Sequence, residues 1–240
     1  MRLMLGGGGH RPPERRAVFI SELDAFLGPI ERILFIPYAL SDYDNYVKVV
    51  LELGLNAGRE LVGIHSDFPP AYALEKAEAV FVGGGNTFLL LNELQKQGLL
   101  WPISQMVKGG MPYIGVSAGT NIACPTIATT NDMPIVWPKT PNALDLVPFQ
   151  INAHFVSGPA HYQVREKMIP YAGETREDRL REFHEQNNEP VLAMKEGSIL
   201  IVNDSTVRLC GTAGASFFKK GHDPQGYEPG AEMNFLLNAE

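Results

Sequence analysis

A chain of 240 residues, 45% hydrophobic and 20% charged, has the size and composition of one soluble α/β domain with a sizeable core, and we read residues 1–240 as a single domain. A net charge of −7 without a long basic run argues against a nucleic-acid partner, and no apolar window approaches the roughly 20 residues of a membrane span. Cys124 and Cys210 suit free thiols in a reducing compartment, and Met1 runs straight into a short strand rather than a signal peptide, so the expected location is the cytoplasm.

In chain order, residues 2–5 predict a short buried strand running into Gly6-Gly7-Gly8-Gly9-His10. Neither the Lys-Ser/Thr of a phosphate loop nor a full G-x-G-x-x-G follows. The glycine run therefore reads as a flexible strand-to-helix turn at the edge of a sheet. Pro12-Pro13 open a helix through Leu27, with Val18, Ile20, Leu23, Phe26 and Leu27 on its apolar face. Residues 33–36 predict a second strand stopped by Pro37, and Ser41 is the expected cap of a helix carrying Tyr46, Val47, Val50 and Leu51. Strands at 61–64 and 79–82 and helices at 71–76, 88–97 and 102–107 follow. This alternation predicts a doubly wound, mostly parallel sheet with helices on both faces, whose ligands bind beyond the carboxyl ends of the strands.

Past residue 121 the texture changes. Residues 126–137 are polar and rich in turns, and 144–151 look extended. A charged helix is expected over 177–186, and strands over 191–194, 198–202 and 206–209. The last twenty residues, with Pro224, Gly226, Pro229 and Gly230, read as a tail on the surface.

The sharpest motif is Tyr113-Ile114-Gly115-Val116-Ser117-Ala118-Gly119, the G-x-S-x-G pattern of a nucleophile elbow. A serine on a strained strand-to-helix turn needs neighbours without bulk, and Gly115, Ala118 and Gly119 supply them. The same pattern also fits an ordinary turn serine, so the partners decide. A serine nucleophile needs a base, a group that orients the base, and donors for an oxyanion. Among His10, His65, His154, His161, His184 and His222, His154 follows a strand-like run and lies well past the serine. His184, on the charged helix, is expected to face solvent. There is no H-E-x-x-H and no carboxylate ligand pattern around His154 and His161, so no metal and no cofactor are expected.

Six blocks occur in fixed order: Gly83-Gly84-Gly85-Asn86-Thr87-Phe88, the elbow, Thr129-Thr130-Asn131-Asp132-Met133-Pro134-Ile135-Val136, Ala143-Leu144-Asp145-Leu146, Gln150-Ile151-Asn152 with His154-Phe155, and Gly173-Glu174-Thr175-Arg176. With them the chain resembles the peptidase E family of α-aspartyl dipeptidases, which is similar in fold to class I glutamine amidotransferases and more distantly to cyanophycinase. The resemblance implies a serine peptidase that releases N-terminal aspartate from dipeptides through an acyl-enzyme. By it Ser117 is the nucleophile and His154 the base. Asp132 and Glu196 both have counterparts for the third role; Glu196, at a strand end, is preferred for orientation, with Asp132 as an auxiliary group. The N–H groups of Gly85 and Ala118 would meet the oxyanion, and Asn86 and Arg176 would hold the aspartate, an arginine fork being suited to a carboxylate.

The implied partner is a small acidic peptide, with no nucleic acid or membrane, and a homodimer is left open. Two other readings compete: a related hydrolase of another acidic or amide substrate, cyanophycinase-like or isoaspartyl, and a non-catalytic small-molecule binding module. The chain departs from the family pattern at residues 6–10 and 157–172.

Overall fold

The computed structural model describes residues 1–66, 69–159, 161–164, 166–170 and 172–238. Arg2–Gly6 (β1) leads to Pro13–Leu27 (α1), and Arg32–Ile36 (β2) to Tyr43–Glu52 (α2). Glu60–Gly63 (β3) precedes Pro70–Glu75 (α3), and Ala79–Val82 (β4) precedes Thr87–Lys96 (α4) and Leu100–Lys108 (α5). Tyr113–Val116 (β5) turns at Ser117 into the short helix Ala118–Ile122 (α6). Gln150–Ala153 (β6), the hairpin His161–Val164 (β7) and Lys167–Pro170 (β8), and Arg176–Gln186 (α7) follow. The chain closes with Val191–Met194 (β9), Ser198–Asn203 (β10), Thr206–Gly211 (β11), Ala215–Phe218 (β12) and Gln225–Tyr227 (β13).

A seven-stranded sheet in the order β11-β10-β1-β5-β4-β2-β3 forms the centre, with β1 to β5 mutually parallel and β10 and β11 antiparallel. After the charged first residues Arg2, Arg32 and Glu60, its parallel strands carry no further charged side chain, because both faces are covered. Met4, Ile33, Phe35, Ala79 and Phe81 face α1 and α2, packing on Phe19, Leu23 and Val50. Their neighbours Leu3, Leu5, Leu34, Ile36, Val80 and Val82 face α4, α5 and α6. The mostly parallel, doubly wound α/β sheet is the architecture predicted from the strand and helix alternation.

Several local expectations change. β1 lies inside the sheet, not at its edge, so the glycine run leaves from its centre. Asp42, one residue past Ser41, caps α2 by accepting the Asn45 N–H. Of the stretch 144–151, the strand takes only its last two residues, because β6 is set by pairing with β9. That pairing belongs to a second sheet, β13-β12-β9-β6, which the sequence reading did not contain. The expected surface tail supplies β13 and buries Met233 and Leu236 completely; its residues 239 and 240 lie outside the described residues. His184 is buried rather than solvent-facing, its Nε2 3.1 Å from the Glu189 carbonyl. In the poorly matching segment 157–172, residues 160, 165 and 171 lie outside the described residues, and β8 is exposed throughout.

The elbow is tightly packed against the sheet. A Cβ at Gly119 would collide with the Val82 carbonyl oxygen, so α6 reaches β4 only through a residue without a side chain. Gly119→Ala is expected to cost about 1–3 kcal/mol by overpacking, lowering Tm by about 2–4 °C per kcal/mol in a chain this size. Gly226→Ala, where a Cβ meets open space, serves as the control. Thermal unfolding of both variants checks the difference, and equal Tm values would contradict this packing.

Candidate active site

The strand order brings four neighbouring chain ends to one edge of the sheet: the turn before β10 and the loops after β1, β5 and β4. The loop after β1 joins three of the candidate residues through its backbone. The Gly6 carbonyl accepts the Ser117 N–H at 3.0 Å, the Gly7 carbonyl accepts the His154 N–H at 3.1 Å, and the Gly8 carbonyl accepts the Gly197 N–H, next to Glu196, at 2.9 Å. Glycine is required here for space as well as freedom. Gly8 and Gly9 have φ of +93° and +78°; a Cβ on Gly8 would enter the His154 ring, and one on Gly9 would lie 2.7 Å from Glu196 Oε2.

On this frame the side chains form a line. His154 Nε2 is 2.9 Å from Ser117 Oγ, and His154 Nδ1 is 3.0 Å from Glu196 Oε1. Arg15, on α1, donates to Glu196 Oε2 at 2.7 Å. Ser117 and His154 both hold φ at 56°, and they are two of five described non-glycine residues with positive φ. Such conformations cost about 1–3 kcal/mol each and persist only where the surroundings impose them. Hydrogen bonds from His154 and then Arg15 hold the Glu196 carboxyl below its ordinary pKa, against the opposing effect of partial burial. His10 packs edge-on against Phe19 beside this cluster. Its burial, with His154 and Arg15 nearby, outweighs the pull of Glu196 and lowers its pKa to about 4. It is thus neutral at physiological pH.

The remaining candidates lie on the β4 side. A Cβ on Gly84 would sit 3.0 Å from the Ser117 Cβ, so the Gly83–Asn86 turn passes directly over the serine. Ala118 is the first residue of α6, where backbone N–H groups have no intrahelical acceptor. Asp132 is not at His154. Its Oδ2 accepts the Thr87 N–H at 2.8 Å, the Thr87 hydroxyl at 2.6 Å and the Thr130 hydroxyl at 3.2 Å, which seats it at the N-terminus of α4. Asn86 is spent on structure: it caps α4 through the Leu89 N–H and donates to the Met133 carbonyl at 2.8 Å.

Arg176, the first residue of α7, donates to the Asn131 side chain. Asn131 in turn donates to the Ala153 carbonyl at 2.7 Å, one residue before His154. Part burial and the neighbouring Arg179 lower the Arg176 pKa, against the pull of Asp132. Among the described residues, no group of three or more His, Cys, Asp or Glu side chains is gathered as a metal site.

The sequence offered the glycine run as an edge turn and His10 as one of six candidate bases, placing neither beside the triad, and Arg15 was not singled out. The signal for the loop was the run of four glycines at a strand end. For Arg15 there was none, since 181 residues separate it from Glu196.

A serine, an imidazole and a carboxylate in hydrogen-bonded line, with the serine at a helix start, are equipped for acyl transfer. The description "Peptidase family S51" matches residues 3–210. A Streptomyces coelicolor protein named peptidase E is 43% identical over 91% of this chain and 87% of its own. A Drosophila melanogaster protein named "probable alpha-aspartyl dipeptidase" is 41% identical over 87% of this chain and 84% of its own. The solved structure of a peptidase from an acI-B1 Actinobacterium shares the fold, with a TM-score of 0.66 at 16% identity, covering 97% of this chain and 96% of that one.

The Gly8 clearance generates a direct test. Gly8→Ala is expected to push the imidazole off Ser117 and to slow covalent labelling of Ser117 by a fluorophosphonate roughly 10²-fold, since displacements of about 1 Å at a reacting centre cost that much. Labelling at the parental rate would show that the loop does not position His154.

Proposed function

Because the chain belongs to peptidase family S51, we propose that it is a serine dipeptidase that cleaves Asp-X dipeptides through an acyl-enzyme. The observation that carries this reading is the hydrogen-bonded line Ser117–His154–Glu196 at the turn between β5 and α6. Ser117 Oγ attacks the peptide carbonyl while His154 Nε2 takes its proton. Glu196 keeps the other ring proton on Nδ1 and stabilises the imidazolium. In this reading the N–H groups of Ala118 and Gly85 meet the tetrahedral oxyanion. His154 then protonates the leaving amine, and the same steps with water release aspartate.

Selection of an acidic residue falls to Arg176. Arg176 is partly buried and donates to the neutral side chain of Asn131, while Arg179 beside it has Glu174 at 3.7 Å. A carboxylate arriving there offsets both the desolvation and the repulsion. Asn131 fixes the guanidinium relative to the strand before His154, and the name of the Drosophila melanogaster relative supports the same specificity. Asp132 and Asn86 hold the α4 end and the 130–134 turn in place.

Two comparisons test the roles. Glu196→Gln is expected to lose roughly 10⁴-fold in kcat, as the amide cannot hold the imidazole in its reactive tautomer, whereas Asp132→Asn loses far less. A larger loss for Asp132→Asn would reverse the assignment. Arg176→Met is expected to cut kcat/KM for Asp-Leu by roughly 10²-fold, because a charge-assisted bond to a substrate carboxylate is lost. Ala-Leu should change little. An unchanged Asp-Leu to Ala-Leu ratio would mean that Arg176 does not read the substrate, and faster hydrolysis of β-Asp-Leu than of Asp-Leu would overturn the substrate class.

A further inference from the structure

We propose that Arg15 is a positioning residue for the reaction, clamping the far oxygen of Glu196 so that the near one stays on His154. This rests on the Ser117–His154–Glu196 reading above. The side chain of Glu196 is 47% exposed. A glutamate in water turns freely about three bonds, and the single contact of Oε1 with Nδ1 at 3.0 Å leaves the carboxylate plane free to rotate. The second contact, from Arg15 Nη1 to Oε2 at 2.7 Å, removes that freedom. Orienting residues of this kind are buried in many triads; here an ion pair does the work of burial.

Arg15 is suited to this by its mounting. It lies in the first turn of α1, a helix anchored in the core by Phe19, Leu23, Phe26 and Leu27. Its stem runs along the Glu196-Gly197 turn, where a Cβ on Gly197 would lie 3.2 Å from Arg15 Cδ. The carboxylate is thus held from two sides, by His154 and by Arg15, and the missing side chain of Gly9 leaves room for it. A purely structural reason for the pair is weak. Its side chains are 34% and 47% exposed, and ion pairs that open to water contribute about 0–1 kcal/mol to folding.

The guanidinium has a second effect. The charged and titratable groups around the imidazole are Glu196 and Arg15, with His10 neutral behind them. Removing Arg15 leaves Glu196 uncompensated, so the imidazolium gains stability and the acid limb of kcat/KM moves to higher pH.

The test measures Arg15→Met and Arg15→Lys in the parent and in the Glu196→Gln background, with Asp-Leu as substrate. In the parent, Arg15→Met is expected to lower kcat about tenfold with KM changed by less than about twofold, the pattern of a defect confined to the transition state. The acid limb moves up as stated, and Tm stays near the parental value. Arg15→Lys keeps the charge but offers a single-point contact, so it restores the acid limb while recovering only part of kcat. In the Glu196→Gln background, Arg15→Met is expected to cost nothing further, because its effect passes through the carboxylate. Equal losses in both backgrounds, or an unaltered kcat and acid limb in the parent, would overturn the proposal. If Arg15→Met does not fold, Arg15→Gln takes its place. A small effect of Glu196→Gln alone would instead remove the triad reading and this inference with it.

Discussion

Three consecutive glycine carbonyls hold the whole site in register. Gly6, Gly7 and Gly8 accept, in turn, the backbone N–H groups of Ser117, His154 and Gly197, which come from three separate parts of the chain. Each bond is an ordinary backbone hydrogen bond, worth about 1 kcal/mol net. Their importance is geometric. The serine stands at the end of β5, the histidine follows a strand of the second sheet, and the glutamate precedes β10. The loop after β1 lies among all three because β1 sits between β10 and β5. A residue with a side chain at Gly8 or Gly9 would fill the volume that the imidazole and the carboxylate occupy.

Around this frame, charge is arranged in two separate clusters. One is Arg15, Glu196 and His154, with His10 kept neutral by its burial against Phe19. The cluster is balanced at rest and gains a proton on His154 during the proposed reaction, which Glu196 stabilises. The other comprises Arg176, Arg179 and Asp132, with Glu174 3.7 Å from Arg179. Asn131 links the second cluster to the strand that ends just before His154, through the Ala153 carbonyl and the Asn152 side chain at 3.0 Å. The arginine proposed to read the substrate and the proposed base are thus joined through Asn131. The strain at Ser117 and His154, both at φ 56°, is imposed by the same connections rather than by any local preference.

Much of the fold was legible because it is written in local periodicity. The apolar runs at Ile33–Ile36 and Ala79–Val82 and the Pro-started α1 follow from patterns of a few residues. The elbow was legible for the same reason, since Gly115, Ser117 and Gly119 are adjacent in sequence as well as in function. What escaped was non-local. Gly6–Gly9 resembled a loose edge turn because sequence alone did not reveal that β1 is an interior strand. The second sheet joins β6 to β9 across some forty residues and takes its last strands from a stretch rich in proline and glycine. Asn86, read as a ligand for substrate, is a helix cap, and Asn at that position before a helix is an equally direct signal for capping. His184 was misplaced because the charged face of α7 says nothing about which of its residues the second sheet covers.

On the proposed reading, this frame aims Ser117 at a carbonyl and forms an ester with the aspartyl group. Rapid-quench mass spectrometry during turnover of an aspartyl p-nitroanilide would detect that ester. The expected result is a burst of p-nitroaniline matched by one aspartyl acyl group on the peptide that contains Ser117, decaying as free aspartate accumulates. An acyl group on any other residue, or turnover in which water oxygen enters the product with no acyl-enzyme and no burst even when acylation is made faster than deacylation, would contradict it.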